Sequence, residues 1–115
     1  MPLVDSDVGA LAVSHNVALD DSPLILVAAS SRLLYGWLIH NRTSADAYVQ
    51  LFNAAEVGDV TLGTTKPRMV IPMLANDIDK RTIKPVLFDL GIVIGSTTTI
   101  EGSSAAIQDV DILFA

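Results

Sequence analysis

The sequence contains no cysteine. Disulfides, a thiol nucleophile and thiolate metal sites are therefore excluded, and stability must come from the core or from oligomerisation. Basic residues are scarce: seven Lys and Arg against thirteen Asp and Glu give a formal charge of -6. That is the wrong sign for the counterion release on which direct nucleic-acid binding depends. Histidine is limited to His15 and His40, neither at a spacing that makes a recognised metal motif. Long apolar runs are also missing. Leu24 to Ala29, among the longest, has six residues, against the ~20 needed to cross a bilayer, so a soluble protein without a membrane partner is expected. The opening Met1-Pro2-Leu3-Val4-Asp5 has neither the positive n-region nor the apolar h-region of a secretory signal, and synthesis in a cytoplasm is expected.

Hydrophobic residues make up 50% of the 115, charged residues 17%, and the mean hydropathy is +0.49. These values exclude disorder for most of the chain and fit one packed domain. Asp20-Asp21-Ser22-Pro23 reads as a turn between two apolar stretches, because Asp and Ser cap local backbone and Pro presets its own φ. The first stretch, Val8 to Leu19, has low helix propensity and reads as a strand or an extended arm. The second, Leu24 to Ala29, has the pattern of a strand buried on both faces or lodged against another subunit.

Leu34 to His40 and Ala47 to Asn53 flank the polar turn Asn41-Arg42-Thr43-Ser44 and are expected to pair as a hairpin. In the second of them Ala47, Val49 and Leu51 share one face, and Tyr48, Gln50 and Phe52 the other. Ala54 to Gly63 reads as a connection with a short strand or turn at Val60 to Leu62. Pro67 and Pro72 confine the stretch ending at Met73 to an edge strand or a bulge. Asn76 to Arg81 reads as a solvated turn, Thr82 to Asp89 as a strand broken by Pro85, and Gly91 to Ile100 as a long β-branched strand. After the small-residue loop Gly102 to Ala106, Ile107 to Phe114 alternates with a period of two. Val110, Ile112 and Phe114 fall on the core side, and Asp109 and Asp111 on a solvated face. About eight short strands and no convincing helix predict an antiparallel β-sandwich of jelly-roll or Greek-key type. Residues 1–31 are expected to form an N-terminal arm or first strands, and residues 32–115 the sandwich.

The chemistry of catalysis is poorly supplied. Gly95-Ser96-Thr97 lacks the glycine pattern of a nucleophile elbow. Gly63-Thr64-Thr65-Lys66-Pro67 lacks the second glycine of a phosphate loop and has Pro67 where a Ser or Thr would hold magnesium. Asn76-Asp77-Ile78-Asp79 begins like a calcium loop, but Arg81 stands at the next ligand position and no closing glutamate follows. His40 ends a strand beside a turn, where a surface histidine is the simpler reading than a catalytic one. Trp37, the single tryptophan, fits a core position better than a sugar-stacking platform. No catalytic, cofactor or metal residue is assigned, and no enzyme is expected.

The charges are segregated. Lys66, Arg68, Lys80, Arg81 and Lys84 are five of the seven Lys and Arg residues, whereas residues 1–31 and 85–115 hold eight of the thirteen acids and no Lys or Arg. Such segregation suits pairing between copies or with a charged partner, and equally suits plain solubilising loops.

Trp37 to Ala55, with Val60-Thr61-Leu62-Gly63-Thr64-Thr65-Lys66-Pro67 after it and Gly91-Ile92, Thr97-Thr98-Thr99 and Gly102-Ser103 later, resembles small tailed-phage virion proteins of the capsid decoration, or cement, type. The likeness runs from Leu34 to the C-terminus, about two thirds of the chain. It departs after the middle strand, where Pro72-Met73-Leu74-Ala75-Asn76-Asp77 replaces the Pro-Ala-Gly-Gly turn of related sequences. The resemblance implies a β-rich homotrimer on the outside of a phage head, with the major capsid protein as partner and stabilisation of the shell as function. A hydrophobic domain of this size agrees with that if part of its apolar surface is buried between subunits. The expected interface comprises Leu24, Ile25, Leu26 and Val27 together with Lys66, Arg68, Lys80, Arg81 and Lys84. Two alternatives remain: a phage tail or baseplate adaptor or receptor-facing module, and a carbohydrate-binding module using Trp37, Tyr35 and Tyr48.

Overall fold

A computed structural model describes residues 12–16 and 24–115. Its elements are eight strands, β1 (Ala12–Asn16), β2 (Leu24–Ala28), β3 (Arg32–Asn41), β4 (Ala47–Asn53), β5 (Met69–Met73), β6 (Ile78–Phe88), β7 (Ile92–Thr97) and β8 (Gln108–Phe114), with one 3-10 turn at Val57–Asp59. They form two antiparallel four-stranded sheets, a first in the order β1-β8-β3-β6 and a second in the order β2-β7-β4-β5. The all-β sandwich expected from turn spacing and β-branched density is therefore present. The turn expected at Asp20–Pro23 lies outside the described residues, while β1 and β2 are edge strands of the first and second sheet.

The core lies between the sheets. Leu34, Trp37 and Ile39 of β3, Val110 and Ile112 of β8 and Phe88 of β6 meet Val49 and Leu51 of β4, Ile92 and Ile94 of β7 and Ile71 and Met73 of β5. Most of these side chains have no exposed surface at all, and each contributes roughly 1.5–3 kcal/mol by leaving water. The alternation read in Ile107 to Phe114 holds, since Gln108, Val110 and Ile112 are buried and Asp109, Asp111 and Leu113 face outward.

The expected hairpin between Leu34–His40 and Ala47–Asn53 does not form. β3 pairs with β6 and β8, and β4 with β5 and β7. The cause is the Asn41 side chain, which is buried in the crossing between the sheets. Its Nδ2 donates to the carbonyls of Ala45 at 2.9 Å and Leu74 at 3.0 Å, and its Oδ1 accepts from the Thr43 amide at 3.0 Å and hydroxyl at 2.8 Å. These bonds direct the chain across the sandwich so that Val49 and Leu51 face Trp37 and Ile39 instead of lying beside them.

Two boundaries also differ from expectation. The turn read over Asn76–Arg81 is shorter: Asn76 takes φ 57° and Asp77 N–H donates to Leu74 O at 3.1 Å, after which β6 begins at Ile78. β7 ends at Thr97, before the chain turns through Thr98–Gly102. Both Pro-bearing strands are edges, as their missing amides require. Pro72 lies in β5, and Pro85 lies in a bulge of β6, where Ile83, Lys84 and Pro85 stand between Thr82, opposite Gly36, and Val86, opposite Leu34.

The outer faces of the two sheets are unlike. The second is roofed by its connections: Leu24, Phe52, Val60, Leu62 and Val93 pack together over one half, and Gln50 donates to Thr97 Oγ1 at 2.9 Å and Gly102 O at 3.1 Å under the other. The outer face of the first sheet has no such roof among the described residues. No helix among them is long and apolar enough to cross a membrane.

Candidate interaction surface

The bare face of the first sheet is built from outward residues in register. Val13, Leu113, Gly36 and Thr82 form one row across the four strands, and His15, Asp111, Leu38 and Lys80 the next. Asp109, His40 and Ile78 form a third, and Leu33 with Leu87 a fourth. Period-two alternation dictates this placement once the opposite residues are committed to the core. Val13 is 63% exposed, Ile78 59%, Leu87 50% and Leu38 40%. A hollow of about 190 Å³ lies among Val13, Leu38, Lys80, Thr82 and Leu113. Only glycine fits at position 36, because a Cβ would lie 2.2 Å from the carbonyl oxygen of Arg81.

Charged groups surround these apolar residues in pairs. His15 Nδ1 meets Asp111 Oδ1, Arg42 Nη1 lies 3.5 Å from Asp109 Oδ1, and His40 Nδ1 lies 3.8 Å from Asp109 Oδ2. The carboxylates read as a solvated pair on the last strand are thus partnered by bases from β1, β3 and the loop after β3. Sequence reasoning did not find these partners, because the pairings join residues up to 96 positions apart.

Beside this face, the side of the sandwich where β6 lies over β5 is open. A cleft of about 410 Å³ runs between them, with Trp37, Met69, Ile71 and Met73 beneath and Asp79 and Arg81 at the rim. Trp37 is 7% exposed, and its indole N–H donates to Asp79 Oδ2 at 2.7 Å. Arg81 Nη2 stands 3.6 Å from the other Asp79 oxygen. Asp77 Oδ1 instead accepts the Ile78 amide at 2.8 Å, so the two carboxylates of the calcium-like stretch serve different partners. Among the described residues no group of three or more His, Asp or Glu is placed to hold a metal ion.

The residues expected at an interface separate into two sides. Lys66, Arg68, Lys80, Arg81 and Lys84 are exposed on or beside β5 and β6. Arg68 is anchored there, its Nε donating to Leu87 O at 3.1 Å and its guanidinium lying 5.9 Å from the Phe88 ring centre. Lys80 faces outward beside Leu38, Arg81 turns to the cleft, and Lys84 sits in the bulge. Leu24, Ile25, Leu26 and Val27 lie on β2, at the far edge of the second sheet from β5. Ile25 and Val27 pack on the main core and Leu24 on the roofed cluster, which leaves Leu26, 41% exposed. The structure does not bring this run to the basic residues. Comparison with protein-family models, curated proteins and solved structures finds no match for the chain.

Proposed function

We propose that the protein is a structural component of a tailed-phage virion, a homotrimeric decoration protein that binds the outside of the head and stabilises the shell. The observation that carries the reading is the asymmetry of the sandwich, one outer face roofed and the other without a roof among the described residues, with Val13, Leu38, Ile78 and Leu87 exposed on it. A face of this kind suits broad, shallow contact repeated over many copies, in which affinity comes from avidity and no deep pocket is needed. The strand order supports the same reading. The order β1-β8-β3-β6 over β2-β7-β4-β5 is compatible with an eight-stranded jelly roll, an architecture frequent in viral capsid domains.

The same surface would serve a tail or baseplate adaptor, and the location decides between them. A sugar-binding module is less well supported, since the buried Trp37 indole offers no open ring face for stacking. The test is light scattering on the full chain, followed by co-sedimentation with undecorated heads of the phage that carries the gene. A mass of three chains and saturable binding to heads, abolished by Leu38→Glu, are the expected results. Binding to tails and not to heads would favour the adaptor, and binding to neither would overturn the proposal.

A further inference from the structure

The first half of β6, Ile78–Thr82, is a strand edge left open among the described residues, where β6 is bonded only to β3. The Asn41 amide donates to the Asp77 carbonyl at 2.9 Å, and antiparallel ladder bonds alternate from there. Asp79 and Arg81 therefore turn their backbone groups to β3, while Ile78, Lys80 and Thr82 turn theirs to the open side. The Ile78 amide is taken by Asp77 Oδ1, which leaves the Ile78 carbonyl and both groups of Lys80 and Thr82 along the edge. Neighbouring edges are guarded. Pro72 interrupts β5, and the second half of β6 carries Pro85, the bulge and the Arg68 Nε bond to Leu87 O. No proline or bulge lies within Ile78–Thr82.

A strand added here would continue the alternation of β6. Its residues in line with Asp79 and Arg81 would lie over the cleft floored by Trp37, Met69, Ile71 and Met73, whose volume of about 410 Å³ admits apolar side chains. Its residues in line with Ile78, Lys80 and Thr82 would lie beside Lys80 on the outer face, with Lys66, Arg68 and Lys84 exposed on or beside the same two edge strands. The acids of this region are engaged, Asp79 by the Trp37 indole and Arg81, and Asp77 by the Ile78 amide. We propose that this edge docks an extended segment of a partner protein in which apolar residues alternate with Asp or Glu. Main-chain bonds to Ile78, Lys80 and Thr82 hold it, its apolar residues cover the cleft, and its acids stand beside Lys80. A second copy of the same edge is a poor occupant, because two such stretches paired antiparallel about their centres set Lys80 directly opposite Lys80. The site serves a partner in a head, a tail or elsewhere, and so goes beyond the function proposed above.

The experiment uses the full chain and two capped peptides of about ten residues, one of alternating Val and Glu and one of alternating Val and Lys. Binding is read from the emission of Trp37, the single tryptophan and part of the cleft floor, and from residue-resolved amide exchange by NMR. The peptide with Glu is expected to shift the emission saturably and to slow exchange at Lys80 and Thr82, and the peptide with Lys to bind about tenfold more weakly. Lys80→Glu is expected to reverse that preference, with unchanged Trp37 emission in the free variant showing that the fold is kept. Equal binding of the two peptides, or a preference that survives Lys80→Glu, would overturn the proposal. So would binding that leaves the Lys80 and Thr82 amides unaffected, or no binding at about 1 mM peptide. Slow exchange at both amides in the protein alone, from a second copy or another part of the chain, would overturn it as well.

Discussion

Single side chains settle where this chain bends and where it stays thin. Asn41, read from sequence only as part of a polar turn, is buried and holds four groups of the crossing between sheets. Gly36 does the opposite work, since its missing side chain lets β3 lie against the bulge of β6. Gly36→Ala must push its Cβ away from the Arg81 carbonyl oxygen and the Thr82 Cα, 2.2 and 3.0 Å distant. Backbone on both sides leaves no rotamer to relieve the clash, so a loss of about 2–4 kcal/mol is expected, seen as a thermal midpoint roughly 10 °C lower by circular dichroism. A midpoint within a degree or two of wild type would mean that the bulge adapts freely. Neither role was legible in the sequence, because both depend on what another strand places opposite the residue.

At the scale of elements, the sequence was more informative about strands than about their neighbours. β-branched density and turn residues located most of the eight, and Pro72 lies in a strand that is an edge, one of the two places expected for it. Pairing was not legible, because Asn41-Arg42-Thr43-Ser44 looks the same whether the chain returns beside β3 or crosses to the other sheet. β7 illustrates the difference between edge and centre. Its six residues are all buried, and it is bonded to β2 on one side and β4 on the other. Amide hydrogen exchange is therefore expected to be slowest in β7, β4, β3 and β8, and fastest in β1, β2, β5 and β6. Mass spectrometry of peptic fragments would show it, and equal protection of β6 and β7 in dilute monomer would contradict the assigned edges.

For the whole molecule, charge is segregated along the sequence. Lys66, Arg68, Lys80, Arg81 and Lys84 gather on or beside β5 and β6, while the acids of residues 1–31 precede and follow β1 in the chain. Segregated opposite charges steer copies into one relative orientation, and that contribution is screened by salt. Raising ionic strength from about 0.01 M to about 1 M shortens the Debye length from about 30 Å to 3 Å. Self-association measured by sedimentation is expected to weaken over that range without vanishing, because the apolar part of the contact does not screen. Association that strengthens steadily with salt would point to apolar contact alone and leave the charge segregation without a role. One feature of the topology also governs when any of this can begin. Among the described strands β1 is bonded only to β8, so a strand made early in synthesis waits for one near the end of the sequence. Through most of synthesis its edge is unsheltered, and the growing chain depends on slow, long-range closure.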